Sequence, residues 1–220
     1  MSLYGIGNGL LDREHHISTD FLKLHQLEKG SMTLVEYEAF KKMSDSLKND
    51  KTLAVDSGGA VANACATAAA CGLETYLEVC MGNDWAGKAY TQALSENNVS
   101  HRYNKEEDFL SGTTGQCLVA ISEDAERTMQ TYLGVNSKLN PNMVDAQHVQ
   151  NAQLALIEGY LVTGTDSLDA ALQVKAYAKT HGVKTALTLS DAGVVKFFHP
   201  QMKALAENVD MLFGNEAEAL

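Results

Sequence analysis

Two polar side chains near the start of the sequence have the types and spacing of a small-molecule site. Asn8 and Asp12 follow a short apolar run, residues 3–7, which predicts a buried strand. In open α/β sheets, ligands bind beyond the carboxyl ends of the strands. There a carboxylate can accept hydrogen bonds from a vicinal diol, while an amide can donate and accept. Both residues are also common in plain turns, so this pair alone leaves the two interpretations open.

A second candidate feature is the segment D-S-G-G-A-V-A-N at residues 56–63, which leads into an alanine-rich stretch. Gly58 and Gly59 let a ligand approach the backbone closely, and amides at a helix start favour an anionic or hydroxyl-rich partner. A tight turn that caps a helix explains these glycines equally well. It does not explain Asn63 within an otherwise apolar stretch, and we expect this side chain to point beside the glycines.

The glycine-rich loop at residues 5–9 invites comparison with dinucleotide-binding folds, but its spacing is wrong. The pattern G-x-G-x-x-G requires glycine at position 10, where Leu10 stands. The acid that binds a ribose in such folds lies about 20 residues further along, which Asp12 does not satisfy. A nicotinamide-dependent oxidoreductase is therefore disfavoured.

The hydrophobic pattern predicts a β-sheet that can position these motifs. Short apolar runs alternate with helical stretches, which predicts a Rossmann-like, three-layer α/β/α fold with a mostly parallel sheet. Two strand-like stretches, residues 114–122 and 128–133, do not fit that alternation because a short acidic turn joins them. We expect a small β-sheet lid, built from about residues 13–35 and 100–133, attached to one α/β domain over residues 1–220.

Composition argues against several classes of function. The 220 residues carry a formal net charge of −11 and no Lys/Arg-rich run, which disfavours nucleic-acid binding. No apolar run is long enough to span a bilayer and the N-terminus lacks a signal pattern, so we expect a cytoplasmic protein without a membrane partner. The four cysteines lack zinc-ligand spacing and indicate neither a metal nor a disulfide framework.

In this order, the motifs resemble the N-terminal signature of the ribokinase (PfkB-type) family of carbohydrate and nucleoside kinases. The resemblance includes residues 5–12, 58–63, 82–87, 112–115, 124–128 and 215–218, and its first motif is most similar to adenosine kinases. It implies a ribokinase-like fold and an ATP-dependent, Mg²⁺-dependent kinase. The implied acceptor is the primary 5′ hydroxyl of a ribose-containing substrate, adenosine or a related nucleoside, with a free sugar such as ribose or fructose as the alternative.

The resemblance also implies roles for residues of the substrate site. Asp12 would bind the ribose hydroxyls with Asn8 nearby. Gly58 and Gly59 would lie along the sugar, and Asn63 would form a hydrogen bond to it.

On the predicted lid, the resemblance places Met129 and Thr131 toward the base and lets Arg127 reach the transferring phosphate. It implies that Glu158 is a substrate-binding glutamate at a strand end. A solvated loop acid is the alternative interpretation of Glu158.

Asn215 and Glu218 match the family's N-x-x-E motif, which implies that they help to place Mg²⁺ and the triphosphate, Glu218 acting through water. Without the resemblance, this segment is typical of the acidic N-terminus of a helix. The family's catalytic base lies in a G-x-G-D motif, which is absent from the sequence. We therefore expect a chain that is incomplete at its C-terminus, with no catalytic base of its own and with the adenine-binding residues beyond Leu220.

Two alternatives stay open at this point. If the chain truly ends at Leu220, a non-catalytic nucleoside- or sugar-binding module fits the sequence. The resemblance is also compatible with either a monomer or a homodimer formed through the lid.

Overall fold

The computed structural model describes residues 2–47 and 52–219, and in these ranges ten strands form two five-stranded sheets. The strands are β1 (Ser2–Ile6), β2 (Leu10–His16), β3 (Met32–Leu34), β4 (Thr52–Gly58), β5 (Glu74–Glu78), β6 (Gln116–Ile121), β7 (Arg127–Tyr132), β8 (Leu154–Glu158), β9 (Lys184–Thr188) and β10 (Met211–Phe213). The helices are α1 (Thr19–Leu24), α2 (Tyr37–Ser46), α3 (Ala60–Ala70), α4 (Trp85–Glu96), α5 (Ala146–Asn151), α6 (Thr165–His181), α7 (Ala192–Phe197), α8 (His199–Ala206) and α9 (Glu216–Ala219).

The first sheet is parallel, with the strand order β10-β9-β8-β1-β5. Successive residues of β1 point to opposite faces, so Leu3 packs in the core that contains α3 and α4, and Tyr4 packs in the core that contains α5, α6 and α8. Helices therefore cover both faces, which explains why residues 3–6 of β1 are all buried. The predicted three-layer α/β/α architecture is confirmed.

The second sheet is mixed, with the order β3-β7-β6-β2-β4, and forms the lid. Its hairpin β6–β7 is antiparallel and turns at Ala125, which has a φ of +65°. Helices α1 and α2 cover one face of this sheet, where Phe40 and Met43 pack against Leu118 and Ala120. The opposite face is left to line a cavity against the first sheet.

The boundaries of the lid differ from those expected from the sequence. Strand β4 lies at the edge of the lid sheet, paired antiparallel with β2, although its residues were expected outside the lid. Residues 100–115 were expected inside it, but Ser100 N–H donates to the Thr75 carbonyl (3.0 Å) and Leu110 N–H to the Met81 carbonyl (2.9 Å), beside the first sheet. Because an edge strand has exposed positions and weak alternation, the pattern of β4 did not reveal its partner.

Helix length bears on membrane association. Helix α6, of 17 residues, alternates buried and exposed positions. Among the described residues, none of the helices is long and apolar enough to cross a bilayer.

Candidate active site

The backbone passes between the two sheets at four places in the described ranges, and these crossings lie together. They are residues 7–9, 58–59, 112–115 and 133–136. Leu11 N–H, in β2 just after the first crossing, donates to the Gly115 carbonyl of the third crossing (3.0 Å). A cavity opens beside this junction, so both sheets contribute to its wall.

The cavity has a polar side and an apolar side. The side formed by the first sheet and its loops carries Asn8, Gly59, Ala60, Glu158, Tyr160 and Thr163. The lid contributes Asp12 together with the largely apolar set Leu10, Met32, Leu34, Cys117, Met129, Thr131 and Leu133. Of the residues expected to bind substrate, Asn8, Asp12, Gly59, Met129, Thr131 and Glu158 line this one cavity.

Asp12 is the acidic residue of the lid wall. Its neighbours across the sheet are Asp56 on β4 and Cys117 on β6. Burial, followed by the charges of Glu14 and Asp56, raises the pKa of Asp12 to about 7, while Arg127 acts in the opposite direction. The carboxyl group is thus short of water, and donors from a ligand would replace the missing hydration.

Gly58 makes room for this carboxyl group. A Cβ atom at this position would lie 2.3 Å from Asp12 Oδ1, much closer than atoms can approach. Gly58 is not part of the cavity wall, so the structure gives it a supporting role behind Asp12.

Gly59 is required for a different reason. Its φ is +104°, and a Cβ atom would lie 2.6 Å from the Asn8 carbonyl oxygen. It is the residue that precedes helix α3, so the close approach fixes the start of this helix against the loop that follows β1.

Glu158 ties the same two segments together. Its Oε2 accepts the Asn8 N–H (2.7 Å) and its Oε1 accepts the Ala60 N–H at the start of α3 (3.1 Å). The side chain is 2% exposed, so the alternative of a solvated loop acid is wrong. Burial raises the pKa of Glu158 to about 7, although the N–H donors of Asn8 and Ala60 act in the opposite direction.

Two further residues expected in the site, Asn63 and Arg127, lie apart from the cavity wall. Asn63 is exposed on α3 and is absent from the set that lines the cavity. Arg127 is exposed at the start of β7, where its Nη2 lies 3.4 Å from Glu14 Oε1. The contact of Asn63 with sugar and that of Arg127 with phosphate stay predictions.

Asn215 and Glu218 lie after β10, at the start of α9. Asn215 Oδ1 accepts the Glu218 N–H (3.0 Å), and Glu218 Oε2 accepts the Asn215 N–H (3.2 Å). This reciprocal pair is a capping box, and the segment is the N-terminus of a helix, as its alternative interpretation expected. Across residues 2–47 and 52–219, no three His, Cys, Asp or Glu side chains form a group that could hold a metal ion.

A brace between two glycine-rich motifs was not foreseen from the sequence. Asp84 Oδ1 accepts the Gly87 N–H (2.8 Å) and the Thr114 hydroxyl (2.6 Å), and Thr114 Oγ1 accepts the Gly82 N–H (2.9 Å). These residues match motifs of the family, but the sequence alone assigned them no structural role. The structure shows that they hold the third crossing against the start of α4.

Asn136 was also missed. This side chain is 2% exposed and bonds both backbone groups of Gly9, the N–H at 3.0 Å and the carbonyl at 2.7 Å. A single asparagine in a short 3₁₀ turn has no periodic signal, so the sequence could not indicate that it contacts the first loop.

Comparison with known proteins identifies the family. The family model described as "pfkB family carbohydrate kinase" matches residues 29–220. The chain belongs to this family. The fold agrees, because the crystal structure of adenosine kinase from Sinorhizobium meliloti superposes with a TM-score of 0.91 at 27% identity, covering 100% of this chain and 66% of that one.

Two curated proteins have similar sequences. Adenosine kinase from Dictyostelium discoideum is 26% identical over 219 residues, which are 97% of this chain and 62% of the relative. Guanosine-inosine kinase from Escherichia coli K12 is 25% identical over 223 residues, with coverage of 98% and 51%. The chain thus spans between about half and two thirds of the length of these relatives.

Proposed function

We propose that the protein is an ATP-dependent phosphotransferase that acts on the primary 5′ hydroxyl of a ribose-containing substrate, adenosine or a related nucleoside. The observation that carries this proposal is the position of Asp12. Its carboxyl group, partly removed from water, faces a cavity whose other lid residues are mainly apolar. One end of the cavity therefore suits a diol and the other suits a base.

At the ribose end, an ionised Asp12 can accept hydrogen bonds from two neighbouring hydroxyls at once. Hydrogen bonds to a charged group contribute about 1.5–3 kcal/mol each, more than neutral ones. Asn8 lies on the facing wall, and Gly59 adds no side chain there, so a sugar ring can approach the backbone at the start of α3.

At the base end, the apolar lid residues favour a nucleoside over a free sugar. Met32, Leu34, Met129 and Leu133 would cover a planar ring but offer no hydrogen-bond partner to the hydroxyls of ribose or fructose. The names of the curated relatives, adenosine kinase and guanosine-inosine kinase, support a purine nucleoside.

ATP would supply the phosphoryl group, and the Mg²⁺ bound to it would neutralise the negative charge that develops during transfer. Glu218 presents a half-buried carboxylate, which suits an ion held through water, and Asn215 lies beside it. Arg127, exposed on the lid, is the candidate for contact with the transferring phosphate. The described residues would thus hold and orient the acceptor, and the catalytic base is not assigned to any of them.

The test is coupled ADP release with adenosine, guanosine, inosine, ribose and fructose, using the gene product that carries this chain. We expect turnover of at least one nucleoside, and loss of it in Asp12→Asn. The matched control is Asp20→Asn, which changes an exposed aspartate on α1 of the lid.

Other outcomes separate the alternatives. Turnover of ribose or fructose alone would support a sugar kinase, and nucleoside binding without ADP release would support a binding module. Neither binding nor turnover of any nucleoside would contradict the proposal.

A further inference from the structure

Asn136 makes an unusual pair of contacts for a single side chain. Its Oδ1 accepts the Gly9 N–H (3.0 Å) while its Nδ2 donates to the Gly9 carbonyl (2.7 Å) and to the Leu133 carbonyl (3.1 Å). The orientation of the amide follows from chemistry, because only its oxygen can face an N–H and only its nitrogen can face a carbonyl. Asn136 therefore bonds to Gly9 much as a neighbouring β-strand would.

The two residues it joins have particular places in the chain. Gly9 is the last residue before the backbone enters the lid in β2, and Leu133 is the first after it leaves the lid from β7. Asn136 thus connects the first crossing with the fourth. Gly9 separates Asn8, on the first-sheet wall of the cavity, from Asp12, on the lid wall.

The side-chain amide of Asn136 is closely packed against the backbone of the third crossing. A Cβ atom at Gly115 would lie 2.4 Å from Asn136 Nδ2, so the glycine of the third crossing makes room for the side chain. On the other side of the loop, the buried carboxyl group of Glu158 holds the Asn8 N–H (2.7 Å). The loop of Asn8 and Gly9 is therefore held at Asn8 by Glu158, at the end of β8, and at Gly9 by Asn136.

We propose that Asn136 is a positioning residue, which fixes the loop of Asn8 and Gly9 to the lid and so sets the separation of the two walls that would grip the ribose. The role in substrate binding rests on the function proposed above. An amide is suited to it, because leucine has no polar atom and aspartate offers only acceptors when it is ionised. Loss of the amide would free the loop to rotate about Gly9.

The primary variant is Asn136→Leu, which keeps the approximate size of the side chain and removes all three hydrogen bonds. Asn136→Asp is the second variant, which keeps an acceptor for the Gly9 N–H but faces both carbonyls with oxygen. The control is Ser167→Ala, since Ser167 is also buried and bonds to backbone carbonyls, of Leu161 (2.8 Å) and Gly164 (3.1 Å), in α6.

Two measurements are needed. Hydrogen exchange without ligand reports the mobility of amides 10–12, and isothermal titration gives the dissociation constants for adenosine and for 2′,3′-dideoxyadenosine. We expect the Asn136 variants to exchange faster at these amides and to bind adenosine at least about tenfold more weakly, as the loss of one or two hydrogen bonds implies. Binding of the dideoxy compound should change much less, because its sugar lacks the hydroxyls.

The control variant shows whether the changes in the Asn136 variants reflect more than a general loss of stability. Ser167→Ala is expected to lower the free energy of unfolding without changing exchange at residues 10–12 or the preference for adenosine. The inference is overturned if the Asn136 variants exchange and bind like wild type, or if Ser167→Ala shifts both measurements equally. If wild type binds no nucleoside, the proposed function fails, while hydrogen exchange still decides whether Asn136 holds the loop.

Discussion

Removing the buried carboxyl group of Glu158 is expected to destabilise the protein, and the structure gives the magnitude. Glu158→Ala leaves the buried Asn8 N–H without its acceptor, which costs about 1–3 kcal/mol. The Ala60 N–H loses its acceptor too, but it is only partly buried and water can replace the carboxylate in part. With the space left by the side chain, we expect a loss of roughly 2–4 kcal/mol in the free energy of unfolding.

Glu158→Gln separates charge from packing. Burial raises the pKa of Glu158 to about 7 from its ordinary value of 4.5, so the folded state binds the proton more readily than the unfolded state. The stabilising effect of this protonation is complete below pH 4.5 and is lost as the pH rises through about 7. The wild type should therefore lose up to about 3 kcal/mol relative to Glu158→Gln between pH 5 and pH 8.

The assay is urea unfolding followed by circular dichroism at both pH values, with Glu38→Gln on the exposed surface of α2 as the control. Taking the difference between wild type and Glu158→Gln removes the contributions of other buried carboxyl groups. An equal pH dependence in these two proteins would refute the electrostatic part of the reasoning. If Glu158→Ala has the same free energy of unfolding as wild type, the structural part of the reasoning is refuted.

Further predictions concern the brace, the glycines and the cavity. Thr114→Val removes the hydroxyl that joins the third crossing to the start of α4, and urea unfolding should show a loss of about 2 kcal/mol; a loss below about 0.5 kcal/mol would contradict the brace. Gly58→Ala adds a methyl group 2.3 Å from the carboxyl group of Asp12 and should raise the adenosine dissociation constant at least about tenfold. Gly72→Ala is the control: it strains a left-handed backbone position (φ +85°) outside the cavity wall, so it should lower stability and leave binding unchanged. Met129→Ala should raise KM for adenosine more than for ribose in the ADP-release assay, because only the base would contact this part of the lid; equal changes would contradict that placement. Adenosine binding should weaken as the pH falls through about 7, since Asp12 is then protonated, and titration calorimetry at pH 5.5 and 8 tests this.

Local patterns predicted most of the fold. Apolar runs such as Leu3 to Ile6 are buried on both faces in the parallel sheet, and Gly72 ends α3 with a φ of +85°, as a glycine at that position should. Strand β4 was missed because its partner β2 lies far away in sequence, and edge pairing has no strong local signal. The expected lid boundaries left out β4 for this reason.

The parts of the candidate site that belong to local sequence motifs could be predicted. The parts that depend on tertiary contacts could not. The positions of Asn8 and Gly59 follow from a strand end and a helix start, which the sequence shows, whereas Asp12 reaches the same cavity from within β2 of the lid. The burial of Glu158 depends on two backbone donors that only the folded chain brings to it. Asn136 depends on a contact across 127 residues, which no local pattern encodes.

The central claim is that Asp12 binds the hydroxyls of a ribose. Its most direct test is isothermal titration of wild type and Asp12→Asn with adenosine and 2′,3′-dideoxyadenosine at pH 8, above the pKa of about 7 for Asp12. The account predicts that wild type binds adenosine at least about tenfold more tightly than the dideoxy compound, and that Asp12→Asn loses this preference. Equal binding of the two compounds by wild type, or an unchanged preference in Asp12→Asn, would contradict it.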